Sequence, residues 1–168
     1  MAKTYEPIAT QNGTGSSATI TFSSIPSIYT DLILVASFTV ASVSANLNLY
    51  VNGVNTGGAY SSTRLEGTGS SAISGRSDNV NTIGLDSNIG DDTTAPSIQT
   101  LHFMNYSNTT TNKTILSRQA GYWSANPGVA ARVSLWRNTA AINSITLTNG
   151  AVNFTSASTF TLYGIKGA

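Results

Sequence analysis

The chain has 168 residues with eight basic and seven acidic side chains, a formal net charge of +1 and no cysteine. The missing cysteine excludes disulfides, thiolate metal sites and a cysteine nucleophile. The basic residues (Lys3, Arg64, Arg76, Lys113, Arg118, Arg132, Arg137 and Lys166) are scattered, with no stripe to track a phosphate backbone, so no nucleic-acid partner is expected.

Charged residues are 9% of the chain, against roughly 25% in ordinary globular proteins. In their place stand 23 serines and 24 threonines. Thr favours strands, and Ser, Asn and Gly favour turns, so the bias points to β structure. Hydroxyl and amide groups cost less to desolvate than charges. Such a surface suits packing against copies of the same chain or against a larger assembly, and it also suits an adhesin. The length fits one domain with one core.

At the N-terminus, "MAKTYEPIAT" lacks the apolar run of a signal peptide, so synthesis in a cytoplasm is expected. Residues 1–15 read as an extended arm or a first edge strand. Tyr5, Pro7 and Ile8 supply apolar anchors, and Pro7 keeps its neighbour extended. Deleting residues 1–12 is expected to leave the rest folded and to weaken assembly. Residues 16–168 read as a single β-sandwich domain.

Ile20 and Phe22 share one face of "ATITF" (18–22). In "LILVASFTV" (32–40), Leu32, Leu34, Ala36, Phe38 and Val40 share a face, and Ile33 and Val35 add apolar weight to the other. That pattern suggests a strand covered on both sides at its start. At about half the length of a membrane span, the segment implies no membrane partner. "NLNLYV" (46–51) alternates Leu47, Leu49 and Val51 against polar residues, and Asn52-Gly53 then signals a hairpin.

Residues 56–97 show a weaker pattern, read as short strands with long loops. Strands follow at 98–106, 114–123, 131–137, 142–148 and 158–165. One helical turn is expected at 24–31 or 136–142. Pro7, Pro26, Pro96 and Pro127 all fall between strand candidates. About eight to ten strands at this spacing predict an antiparallel sandwich or barrel, with an eight-stranded jelly roll the preferred form. Along the closing strand Phe160 and Leu162 are expected to face the core and Tyr163 and Ile165 the opposite side. Paired on both edges, it would end the domain and leave only Gly167 and Ala168 free.

No catalytic constellation stands out, and no enzymatic activity is expected. His102, the only histidine, sits in the apolar strand "LHFMNY" with no G-x-S-x-G elbow to partner it. A hydrogen-bonded structural histidine is the expected role. "DSNIGDD" (86–92) departs from a calcium loop because Gly90 is its fifth residue and Ser97 its twelfth, so a solvated acidic loop is expected rather than a bound cation. Neither a metal nor another cofactor is implied. Tyr50, Tyr60, Tyr122, Trp123 and Trp136 could line a sugar site, but on alternating strands they read as core or interface.

The stretches "YEPIAT" (5–10), "TFSSIPSIYTDLILVAS" (21–37), "NYSNTTTNKTILSR" (105–118), "LWRNTAAINSITL" (135–147) and "FTSASTFTLYGIK" (154–166) together resemble small virion proteins of tailed bacteriophages. The closing "STFTLYGIK" is the most specific of them. The resemblance implies a jelly-roll-like sandwich, commonly a homotrimer, located in the virion. It implies a capsid decoration (cement) protein whose partners are itself and the major capsid protein or other virion proteins. Similar segments also occur in tail-fibre proteins, which keeps open a receptor-binding role with host glycan as ligand. An envelope polysaccharide hydrolase is a distant third reading. The expected assembly interface consists of Tyr5, Pro7, Ile8, Tyr163 and Ile165.

Overall fold

A computed structural model describes residues 4–43, 47–85, 92–123 and 126–166, with Trp123 and Asn126 described through their backbone alone. The first half of the chain forms β1 (Tyr5–Asn12), β2 (Thr19–Phe22), β3 (Asp31–Phe38), β4 (Asn48–Val51), β5 (Tyr60–Gly67) and β6 (Ala72–Val80). The second half forms β7 (Ile83–Gly84), β8 (Ser97–Phe103), β9 (Lys113–Trp123), β10 (Asn126–Trp136), β11 (Ile145–Thr148) and β12 (Thr159–Ile165).

All pairings are antiparallel. An eight-stranded sheet has the order β1-β12-β3-β8-β9-β10-β5-β6, and a four-stranded sheet has the order β2-β11-β4-β7. The fold is thus the expected all-β antiparallel sandwich. Its strands exceed the eight of the expected jelly roll and divide eight and four. No helix forms among the described residues, so the helical turn expected at 24–31 or 136–142 is absent.

Alternation explains the core. Leu32, Leu34, Ala36, Phe38 and Val40 are buried along β3 and its continuation, and Leu47, Leu49 and Val51 are buried around β4. Phe160 and Leu162 join them from β12, and Ile20 and Phe22 from β2. Phe154 meets Phe38 and Phe160 edge-on, at centroid distances of 5.5 and 5.0 Å. Val35 is exposed, so β3 is covered fully on one face only.

The closing strand lies between β1 and β3 and is paired on both edges, as expected. Of the two forms expected for residues 1–15, an arm or a first edge strand, residues 5–12 take the second and form the edge strand of the large sheet. They pair with β12 from Tyr5↔Ile165 to Asn12↔Thr159, with an irregularity at Ile8. Pro7 is tolerated there because one side of an edge strand needs no ladder hydrogen bond.

Asn52-Gly53 does turn the chain, with φ of 52° and 70° and a Val54 N–H bond to the Val51 carbonyl of 2.9 Å. It does not make a hairpin, because β5 crosses to the other sheet. The Asn52 side chain is tied to another loop: its Nδ2 donates to the Ala141 carbonyl (2.8 Å) and its Oδ1 accepts from the Asn143 N–H (2.9 Å). Residues 56–85 and 92–97 are more regular than expected. β5 and β6 form a long hairpin whose pattern is weak because much of its covered face is polar.

Four strands at about 4.8 Å spacing cover roughly half the width of eight. The large sheet records this in its register. One row on the covered face runs Leu162–Leu34–Leu101–Ser117–Arg132–Arg64. The adjacent row on the outer face runs Thr161–Val35–Thr100–Arg118–Ala131–Leu65. The covered face passes from apolar to polar across β9, and toward β5 the outer face becomes apolar.

Candidate functional site

The apolar part of the outer face of the large sheet is built by the alternate residues of four neighbouring strands, β8, β9, β10 and β5. Register sets Ile98, Ala120 and Val129 side by side, then Leu116 next to Val133, and Ala131 next to Leu65. Leu65 is 64% exposed, Val129 61% and Ile98 50%, while Leu116, Tyr122 and Val133 are also exposed. Two apolar grooves crease this face. One of about 440 Å³ is floored by Ile98, Ala120, Tyr122 and Val129, with Pro96 and Pro127 among its walls. The other, of about 340 Å³, runs between Leu65, Leu116, Ala131 and Val133. These exposed apolar residues cluster more than ordinary surface scatter does, with the exposed Arg118 lying between the two grooves.

The expected interface residues lie at the other end of the same face. Tyr5, Pro7, Tyr163 and Ile165 share it, with Tyr5 opposite Ile165 and Pro7 opposite Tyr163. The Tyr5 and Tyr163 rings meet edge-on at 6.5 Å, and Tyr5 is exposed whereas Tyr163 and Ile165 are half-buried. Ile8 does not join them. It is partly buried and packs against the core. Ile33 and Val35 of β3 and Leu116 and Val133 lead from this edge to the apolar grooves, with His102 between Ile33 and Leu116.

Ile98, Leu116, Val129, Val133 and Leu65 were missed in the sequence reading. The alternation of Ala131, Val133 and Leu135 is visible in "ARVSLWR", but alternation shows only that one face is apolar. It does not show whether that face is covered.

His102 Nε2 lies 3.2 Å from Asp31 Oδ2, and the other Asp31 oxygen accepts from the Asn105 N–H at 2.6 Å. The histidine is thus hydrogen-bonded on its strand. The carboxylate pins the turn that follows β8. Tyr60 and Trp136 are core residues, Tyr50 is half-buried and Tyr122 exposed. The Trp123 side chain lies outside the described residues, as do residues 86–91 of the acidic loop. Asp92 Oδ1 accepts hydrogen bonds from the Thr94 N–H (2.8 Å), the Thr94 hydroxyl (2.9 Å) and the Ala95 N–H (3.0 Å). The two backbone N–H groups, Ala95 first, and then the hydroxyl hold its carboxyl below the usual range. Among the described residues no three His, Asp or Glu side chains gather as a metal site.

Comparison with protein-family models, with curated proteins and with solved structures finds no match.

Proposed function

We propose that the chain is a structural protein of a tailed-bacteriophage particle that works through self-association, as a homotrimeric decoration protein on the head lattice. The observation that carries this reading is the apolar outer face of the large sheet, exposed on a chain whose remaining surface is rich in uncharged hydroxyl groups. Burying that face against a second copy removes apolar area from water without stripping many charges. The edge residues Tyr5, Pro7, Tyr163 and Ile165 extend the same surface toward β1. Repetition over a lattice adds avidity to individually modest contacts. The resemblance of "STFTLYGIK" to virion proteins supports the location.

The test mixes the purified protein with expanded, undecorated heads of its phage and sediments them. Co-sedimentation at a saturating stoichiometry is expected, and its absence overturns the head assignment. Copy number separates the head from the tail, because a protein that covers a lattice is present in many copies per particle and a tail-tip protein in few.

A further inference from the structure

The polar half of the covered face contains a cleft lined by two arginines. Arg64 and Arg132 stand directly opposite each other on the β5–β10 pair. Like charges so placed repel, so their positions need holding. Glu66, with its side chain fully buried, pairs with Arg64 Nε. Gly75 of β6 lies opposite Arg64 on the other side. A Cβ on Gly75 would sit 2.7 Å from Arg64 Cζ and Nη1 and 3.0 Å from Nη2, so the guanidinium rests in space that only glycine leaves. Arg132 is buried, and its Nη1 donates to Ser62 Oγ at 3.2 Å.

Glu66 engages Arg64 through Nε, and the two terminal nitrogens of Arg64 have no hydrogen-bond acceptor among the described residues. The side chain is 23% exposed and lines a cleft of about 270 Å³ where the two sheets part. β5, β6 and β10 supply Arg64, Ser77 and Arg132, and Asn48 of β4 and Thr82, beside β7, face them. The Thr82 hydroxyl donates to Asn48 Oδ1 at 2.9 Å, which fixes that wall. The volume equals about nine waters at ~30 Å³ each, which is too large for a bare anion to fill and is suited to a single pyranose ring.

We propose that this cleft binds a carboxylate-bearing sugar of the uronic-acid type, either free or as a residue of an acidic polysaccharide. The terminal nitrogens of Arg64 form a planar fork that matches a carboxylate bidentately. The hydroxyls of Ser77 and Thr82 and the Asn48 amide meet the ring hydroxyls.

Calorimetric titration of the full chain with D-glucuronate, D-glucose, acetate and an oligoglucuronate tests this. Glucuronate is expected to bind with a Kd of about 1 mM, and glucose and acetate at least about tenfold more weakly. An oligomer that binds more tightly than the monomer assigns the source to polysaccharide, and equal binding assigns it to the free sugar. Arg64→Lys keeps the charge facing Glu66 but loses the fork and is expected to weaken glucuronate about tenfold. Thr82→Val, beyond β6 at the cleft wall, serves as the second variant should Arg64→Lys fold poorly, and is expected to weaken binding several-fold. Amide chemical shifts provide an independent map, with glucuronate expected to move Gly75, Ser77 and Gly84. Binding of acetate as tight as glucuronate, affinity unchanged in the folded variants, or shifts confined to other residues overturns the proposal.

Discussion

Tyr60 is fully buried, and its hydroxyl both accepts from the Val51 N–H (3.1 Å) and donates to the Val54 carbonyl (2.8 Å). It thereby ties the turn after β4 to the start of β5, where the chain changes sheets. Burial pushes its phenol above the ordinary value of 10.0, with the Val51 N–H pulling less strongly the other way. A phenol raised in this way ionises first in the unfolded chain. Its contribution to stability is therefore complete below pH 10 and is lost as pH rises through the folded value. Tyr60→Phe is expected to cost about 1–3 kcal/mol in urea unfolding at neutral pH, because Val51 and Val54 lose their partner. The gap to the parent protein should narrow above about pH 10. Lys113 has the opposite sign. Its ammonium is buried and donates to the carbonyls of Thr111 (2.7 Å) and Thr139 (3.0 Å), and burial lowers its pKa from 10.5. Below that value the unfolded chain binds the extra proton, so stability rises with pH through the window between the folded and unfolded values. Lys113→Met is expected to flatten that rise in thermal-unfolding profiles taken at successive alkaline pH values.

β12 shows why a glycine stands inside a buried strand. A Cβ on Gly164 would lie 2.3 Å from the Tyr29 ring, which packs flat against it, while Lys166 Nζ sits 5.8 Å from the centre of that ring. Gly164→Ala is expected to cost about 1–3 kcal/mol from overpacking. Combined with Tyr29→Ala it should cost less than the sum of the two single losses, as measured by chemical denaturation of all three variants. β1 is less critical. It lies at an edge, and Ile8 is its apolar anchor in the core. Removing residues 1–12 should leave a folded sandwich with Tm lowered by about 5–10 °C, from ~2–3 kcal/mol at roughly 3 °C per kcal/mol. The bared edge of β12 should promote self-pairing. Loss of the β-sheet circular-dichroism signal would show that β1 is required for folding.

For the whole molecule the decisive feature is the mismatch between an eight-stranded and a four-stranded sheet. β8, β9, β10 and β5 carry the apolar outer face that underlies the self-association reading. Leu65→Lys with Val133→Lys changes two exposed side chains, so stability should move by under about 0.5 kcal/mol per site. The molar mass from light scattering should fall from trimer to monomer. A parent chain that is already monomeric at high concentration, or a variant that stays trimeric, counts against this face as the interface.

Alternation alone placed β2, β3, β4, β8, β9, β10, β11 and β12 and most of the core, but not β5, β6 and β7. "LILVASFTV", "NLNLYV" and "STFTLYGI" each bury the residues they present on one face, because a period of two fits only a half-covered strand. Cysteine content and charge likewise bound the chemistry before any fold was known. The sequence did not reveal which apolar faces stay uncovered, that Asn52-Gly53 turns the chain into the second sheet, or that Arg64, Glu66, Gly75 and Arg132 meet in one cleft. Each of these depends on register and on the relative widths of two sheets. Both are set by pairings between strands far apart in the chain, such as β1 with β12, which leave no local trace in either partner.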